Sequence, residues 1–82
     1  MERLVTEQDP ANEKEEIGAR VRRLRQERKF AQDRLALAAH VDQSGLSKFE
    51  RGNRGLGEVP LRRIAEALGI SYEALIAGTN FE

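Results

Sequence analysis

The sequence has no cysteine and only one histidine, so it lacks the residues that form disulfides and most zinc sites. Without cysteine the chain forms no disulfide and offers no thiolate, and a lone histidine argues against a zinc site built by the protein. No serine–histidine–aspartate or cysteine–histidine set marks an active site. We therefore expect neither an enzyme nor a bound metal or other cofactor.

Long apolar runs are also missing. No stretch approaches the length of a membrane span, and the N-terminal MERLVTEQDP lacks the apolar core of a signal peptide. The glycine-rich residues 52–57 lack the Gly-Lys-Ser/Thr ending of a nucleotide-binding P-loop. These absences predict a soluble cytoplasmic protein without membrane contact. Because 82 residues make one small domain with no attached sensor, we expect no small-molecule effector.

The charges balance overall but are divided along the chain. Residues 1–16 carry six acidic against two basic side chains, a net charge of −4, and residues 17–82 carry twelve basic against eight acidic, a net charge of +4. Ten of those twelve basic residues are arginine, whose planar fork suits phosphate oxygens and guanine edges. A solvated surface of mixed charge would explain the same totals, so charge alone does not identify a partner.

Periodicity and capping signals predict five helices and no strand, which makes the expected fold all-α. Asp9-Pro10 and Asn12 with Glu15 both resemble helix starts, the second as a capping box, and the first helix is predicted to run from there to about Lys29. The other helices are predicted over about 32–39, 43–51 and 72–77, with a fourth helix that has Pro60 in its first turn and ends at Gly69, and a loop over 52–57. Asp42 and Ser71 are the predicted N-caps of the third and fifth helices.

The first helix carries a predicted stripe of residues at helical spacing: Ile17, Val21, Leu24 and Arg28. The polar residues before it show no strong period. We therefore divide the chain into a flexible acidic arm over residues 1–12, a helical domain over 13–78 and a short tail over 79–82.

Residues 32–51, QDRLALAAHVDQSGLSKFER, have the spacing of two short helices that cross at a sharp angle. Ala36 is small where the two helices must approach closely, and His40 falls at the turn. Leu46 and Phe49 are spaced to pack the second of these helices back onto the first. This is the helix-turn-helix pattern, in which one helix protrudes from the rest of the domain so that it can enter the major groove of DNA.

Over residues 17–78 the chain resembles the Cro/C1-type (XRE) family of DNA-binding domains. The most specific matches are the segment 32–50, the ERG at 50–52 and the RIAEALG at 63–69. The resemblance implies a five-helix lambda-repressor-like domain that binds double-stranded DNA and regulates transcription.

Two positions depart from the family pattern. Ala31 stands where a capping serine or threonine is usual, which should forfeit about 1 kcal/mol. His40 stands where the turn residue is usually glycine, and histidine tolerates a positive φ better than most residues. A role for His40 as a pH sensor or as a ligand is the alternative to a structural one.

Matched to the family position by position, Gln43, Ser44 and Lys48 occupy sites that reach base edges, with Ser47 beside them. The helical period agrees, because it turns Leu46 and its stripe inward and leaves these four residues outward. Glutamine can pair with adenine, and lysine can donate to guanine. The alternative is a polar face that only contacts solvent.

Four residues are predicted to contact phosphates: Gln32 and Arg34 at the start of the second helix, and Asn53 and Arg54 in the loop after the third. Such contacts give affinity and register but little sequence preference. Gly45, inside the third helix, has two open interpretations. It lets the helix sit close to the DNA backbone, or it is merely tolerated at a cost of about 1 kcal/mol relative to alanine.

Arg25 and Glu50 lie on the apolar stripes of the first and third helices. Two opposite charges directed at one small core make sense if they meet. In the family, residues at these matching positions do pair. We therefore predict a structural ion pair that ties the first helix to the end of the third.

The resemblance also implies a homodimer on a palindromic operator, because one recognition helix covers only a few base pairs. Tyr72, Ile76 and Phe81 are the predicted dimer interface, and Leu75 fits either the core or the interface. The leading hypothesis is a transcriptional repressor. The alternative is an antitoxin or restriction-modification controller protein, which would bind a second protein through the acidic arm and these apolar residues.

Overall fold

The computed structural model describes residues 16–77. Within that range five helices form the fold: α1 (Ile17–Glu27), α2 (Gln32–Ala39), α3 (Gln43–Glu50), α4 (Glu58–Leu68) and α5 (Tyr72–Ala77). These residues contain no strand, which confirms the predicted all-α architecture. None of the described helices has the length and apolar character needed to cross a membrane.

All five helices contribute to a single apolar core, and the helical period decides which side chains enter it. On α4, for example, the buried residues recur at three- and four-residue intervals, as expected for a helix with one face inward. Leu75, which the sequence left between core and interface, is fully buried. The core residues are Val21, Leu35, Ala36, Ala39, Leu46, Phe49, Leu61, Ile64, Ala65, Leu68 and Leu75.

Local signals build the turn between α2 and α3. His40 follows the last residue of α2 with a left-handed φ of 59°, and Val41 N–H donates to the Ala36 carbonyl at 3.0 Å. As predicted, Asp42 caps α3 by accepting a hydrogen bond from Gly45 N–H at 3.0 Å. His40 thus takes the conformation that glycine usually supplies in the family, at the cost of some backbone strain.

The predicted start of the first helix is wrong. Glu16 is extended, with φ −71° and ψ 152°, so α1 begins at Ile17 and not near Asn12. The proposed capping-box residues Asn12 and Glu15 lie outside the described range. Glu16 occupies the N-cap position of α1 without a side-chain capping bond, so the helix starts one turn later than the pattern suggested.

The predicted end of that helix is also too late. Lys29 has a left-handed φ of 55°, and the N–H groups of Lys29 and Phe30 donate to the carbonyls of Gln26 and Arg25 at 3.0 and 2.9 Å. These two bonds form a Schellman closure, which ends the helix at Glu27. Arg28, predicted on the apolar stripe, is therefore exposed at the helix cap.

At Gly18, α1 packs directly against the end of α3. A Cβ at this residue would lie 1.9 Å from the carbonyl oxygen of Phe49, so no side chain fits without moving one helix. The apolar period of α1 does not reveal this contact, because glycine has no side chain to enter the pattern. Because Gly18 has no side chain, α3 can pack directly against α1.

Candidate nucleic-acid interface

Helix α3 has one buried and one exposed face. Gln43, Ser44 and Lys48 are exposed, and Ser47 is half-buried beside them. A helix with one free side has the shape that the major groove admits. The buried face packs against α1 and α2 and consists of Gly45, Leu46, Phe49 and Glu50.

Ser47 already has a partner on the exposed side. Arg51 Nη1 donates a 2.6 Å hydrogen bond to Ser47 Oγ. The i, i+4 spacing of the two residues makes this contact possible, and it holds the Arg51 guanidinium along the exposed face of α3. The sequence pattern placed Arg51 only at the end of the helix, although its i, i+4 spacing from Ser47 could have indicated this contact.

Arg25 and Glu50 meet as a bidentate pair. Arg25 Nε donates to Glu50 Oε2 at 2.8 Å and Nη2 donates to Oε1 at 3.0 Å, while Nη1 donates to the Phe30 carbonyl at 3.0 Å. The Glu50 side chain is 2% exposed. A buried carboxylate is costly unless it is paired and hydrogen-bonded, and both of its oxygens are bonded here. The pair therefore ties the end of α1 to the end of α3.

The ion pair continues as a chain of hydrogen bonds to the start of α3. Gln32 Nε2 donates to Glu50 Oε1 at 3.0 Å, and Gln43 Nε2 donates to Gln32 Oε1 at 3.2 Å. Gln32, predicted as a phosphate contact, thus uses its side-chain amide to bridge α2 and α3. Gln43 keeps its oxygen and a second N–H without a partner among the described residues, so both can face a ligand.

The other three predicted phosphate contacts are exposed but form two groups. Arg34 lines a shallow groove on α2 with Phe30 and Leu37. Asn53 and Arg54 line a different depression, beside the start of α1. Arg54 Nε donates to the carbonyl of the neighbouring Gly55 at 3.3 Å. These three predicted phosphate contacts therefore line two separate surface depressions.

A cleft of about 210 Å³ opens beside the hydrogen-bond chain, between α1, α2 and the end of α3. Its two further cations, Arg22 and Arg51, have no carboxylate partner among the described residues. Neither was predicted to contact a ligand. Arg22 could have been found, since it lies three residues before Arg25 and so shares its side of α1. The lining residues are Arg22, Arg25, Gln26, Gln32, Ser47, Glu50 and Arg51.

The predicted dimer residues differ in their surroundings. Tyr72 is half-buried, and the guanidinium of Arg62 lies 4.2 Å above the centre of its ring. A 2.7 Å hydrogen bond to Glu58 raises the pKa of Arg62, so the group over the ring stays charged. Ile76 is 48% exposed. Phe81 lies outside the described residues.

Comparison with known proteins places this geometry in a family. A helix-turn-helix domain family matches residues 18–80. The chain is 40% identical over 63 residues to the HTH-type transcriptional repressor RghR of Bacillus subtilis (strain 168), covering 76% of the chain and 47% of that protein. It is 33% identical over 64 residues to the uncharacterized HTH-type transcriptional regulator y4dJ of Sinorhizobium fredii, covering 78% of the chain and 83% of that protein. The chain thus spans about half the length of RghR.

Solved structures agree with these sequence matches. The clp gene regulator ClgR from Corynebacterium glutamicum superposes with a TM-score of 0.73 at 30% identity, covering 78% of this chain and 68% of that one. The SinR–SinI protein complex contains a chain with a TM-score of 0.67 at 29% identity, covering 74% of this chain and 60% of that one. The chain therefore belongs to the XRE-type helix-turn-helix family, and the relatives named above are transcriptional or gene regulators.

Proposed function

We propose that this chain is a sequence-specific DNA-binding repressor of transcription that reads bases with the exposed face of α3. The observation that carries the proposal is the chain of hydrogen bonds from Arg25 through Glu50 and Gln32 to Gln43. This chain holds the first side chain of α3 to two other helices before any ligand arrives. Less side-chain freedom is then lost on binding, which favours affinity.

The remaining groups suit the two kinds of contact that such an interface needs. Gln43 has a free oxygen and a free N–H, the pair of atoms that matches the major-groove edge of adenine. Lys48 is exposed on the same face and can donate to guanine. Arg34, Asn53 and Arg54 supply phosphate contacts from α2 and from the loop after α3.

The proposed repressor acts as a homodimer on a palindromic operator. Ile76 supports this, because it is a large apolar side chain that is 48% exposed beside the buried Leu75. Two-fold symmetry would set the two recognition helices about 34 Å apart, one turn of DNA. Light scattering should find a dimer, and Ile76→Asp should shift it to monomer. A monomer both free at tens of micromolar and on operator DNA would refute the dimer without refuting DNA binding.

A second candidate function keeps the fold and adds a protein partner, as in an antitoxin or a restriction-modification controller. Leu37 on α2 is 78% exposed and Val59 on α4 is 57% exposed, so apolar side chains are available on helices other than α3. The structural neighbour SinR is itself in a complex with the protein SinI. A toxin gene or a restriction-modification pair next to this gene would favour this candidate.

Selection of bound sequences from a random duplex library tests the leading proposal. We expect enrichment of one motif with two inverted half-sites about one helical turn apart. When the same library is selected with the Gln43→Ala variant, preference should be lost at a defined base pair in each half-site. The Arg23→Gln variant, changed on the outer side of α1, should select the wild-type motif. Failure to enrich any motif, with folded protein, would contradict sequence-specific binding.

A further inference from the structure

Gly45 is buried although its neighbour Ser44 is exposed on the same helix. The side chain of Arg54 returns from the following loop and lies against it. A Cβ at Gly45 would stand 2.9 Å from Arg54 Nη1, closer than real Cβ atoms approach another heavy atom. The guanidinium therefore occupies the space that any side chain at this position would fill.

The surroundings of this space also suit a cation. Asp42 caps α3 through Oδ2, and its Oδ1 would lie 3.1 Å from the same Cβ position. A carboxylate and a guanidinium thus flank one point, which offsets the unfavourable placement of a cation at a helix N-terminus. The bond from Arg54 Nε to the Gly55 carbonyl holds the arginine from the loop side.

We propose that Gly45 is a positioning residue for DNA binding. The space left by its missing side chain, here called the seat, holds the Arg54 guanidinium against the first turn of α3. The inference rests on the proposed function, in which Arg54 contacts a phosphate. It replaces both interpretations left open by the sequence. The glycine makes room for an arginine of the same chain, and not for the DNA backbone.

Two measurements on Gly45→Ala test the seat. The first follows the Hε–Nε resonance of Arg54 in the free protein by NMR, assigned with Arg54→Lys. The second measures DNA affinity against salt for Gly45→Ala, Arg54→Ala and the double variant. Gly57→Ala is the matched control, because a Cβ there meets nothing within 4 Å. Cooperative thermal unfolding of each variant verifies the fold.

The seat predicts that Gly45→Ala shifts the Arg54 resonance and that Gly57→Ala leaves it in place. Gly45→Ala should weaken binding by nearly the same factor as Arg54→Ala, and each should flatten the log–log salt slope by about one unit. The double variant should bind no more weakly than Arg54→Ala alone.

Other outcomes overturn the proposal. An unmoved Arg54 resonance, an unchanged affinity in Gly45→Ala, or losses that multiply in the double variant would each show that the glycine does not act through the arginine. If the wild-type chain bound no DNA, the proposed function would fall. The NMR comparison alone would then decide whether the seat exists.

Discussion

The two faces of α3 differ in what their side chains already contact. On the inner face, Phe49 is 2% exposed and Glu50 is bonded to Arg25 and Gln32. On the outer face, Ser44 and Lys48 are exposed. One side of this eight-residue helix therefore packs into the fold, and the proposed DNA contacts lie on the other. The hydrogen bond from Gln43 to Gln32 links the two faces.

The largest effect is expected on the inner face at the buried ion pair. Arg25→Ala or Glu50→Ala should lower the free energy of unfolding by about 3–5 kcal/mol, because the surviving charge is left buried and unpaired. The double variant should recover part of that loss. Urea unfolding measures all three variants.

The exposed pair Arg62–Glu58 is the control, since its side chains are 52% and 61% exposed. Its thermodynamic cycle should give less than about 1 kcal/mol of coupling. Equal coupling in the two cycles would show that Arg25 and Glu50 behave as solvated charges.

The next effect concerns the contact between α1 and α3. Gly18→Ala should destabilise the domain by about 3 kcal/mol, because its Cβ would overlap the Phe49 carbonyl and backbone cannot give way as a flexible side chain does. Gly55→Ala, whose Cβ meets nothing within 4 Å, should change stability by less than about 0.5 kcal/mol. Similar melting temperatures for the two variants would contradict the close approach.

The outer face should respond in binding and not in stability. Gln43→Ala, Ser44→Ala and Lys48→Ala should each cost about 1–3 kcal/mol of binding at the base pair whose contact is lost. The free energy of unfolding, measured by thermal denaturation, should change by no more than about 0.5 kcal/mol, since these side chains are exposed. If all three variants select the wild-type motif, the assignment of the reading residues is wrong.

The smallest effect is a gain in stability at two helix ends. Lys29 and His40 adopt φ values of 55° and 59°, where an L-residue is strained by about 1–2 kcal/mol. Lys29→Gly and His40→Gly should each stabilise the domain by about 1 kcal/mol after the entropy cost of glycine. Lys29→Ala keeps the strain and should not stabilise. Destabilisation by both glycine variants would show that these side chains contribute more than their backbone strain costs.

Much of the fold could be predicted from the sequence, because its signals are local. The bounds of α2 and α5, the cap at Asp42 and the turn at His40 depend on residues within a few positions of one another. The end of α1 was not predicted correctly because it lacks such a local signal. A left-handed Lys29 carries no glycine to mark it, so propensity extended the helix.

The parts of the site that were missed depend on how helices meet in space. Periodicity assigns a side to each residue but does not say which atoms of two helices touch. The bridge made by Gln32 and the close approach at Gly18 arise from that packing. The covering of Gly45 by Arg54 joins residues in a helix and in an irregular loop, for which the sequence has no period to read.

The salt dependence of binding to a selected operator tests the central claim most directly. Fluorescence anisotropy would compare that duplex with a scrambled duplex of equal composition as salt is raised. With about six phosphates contacted, the log–log slope on the operator should lie near −5, and the scrambled duplex should bind at least about 1,000-fold more weakly. Equal affinity for the two duplexes, or binding that salt does not change, would contradict the account.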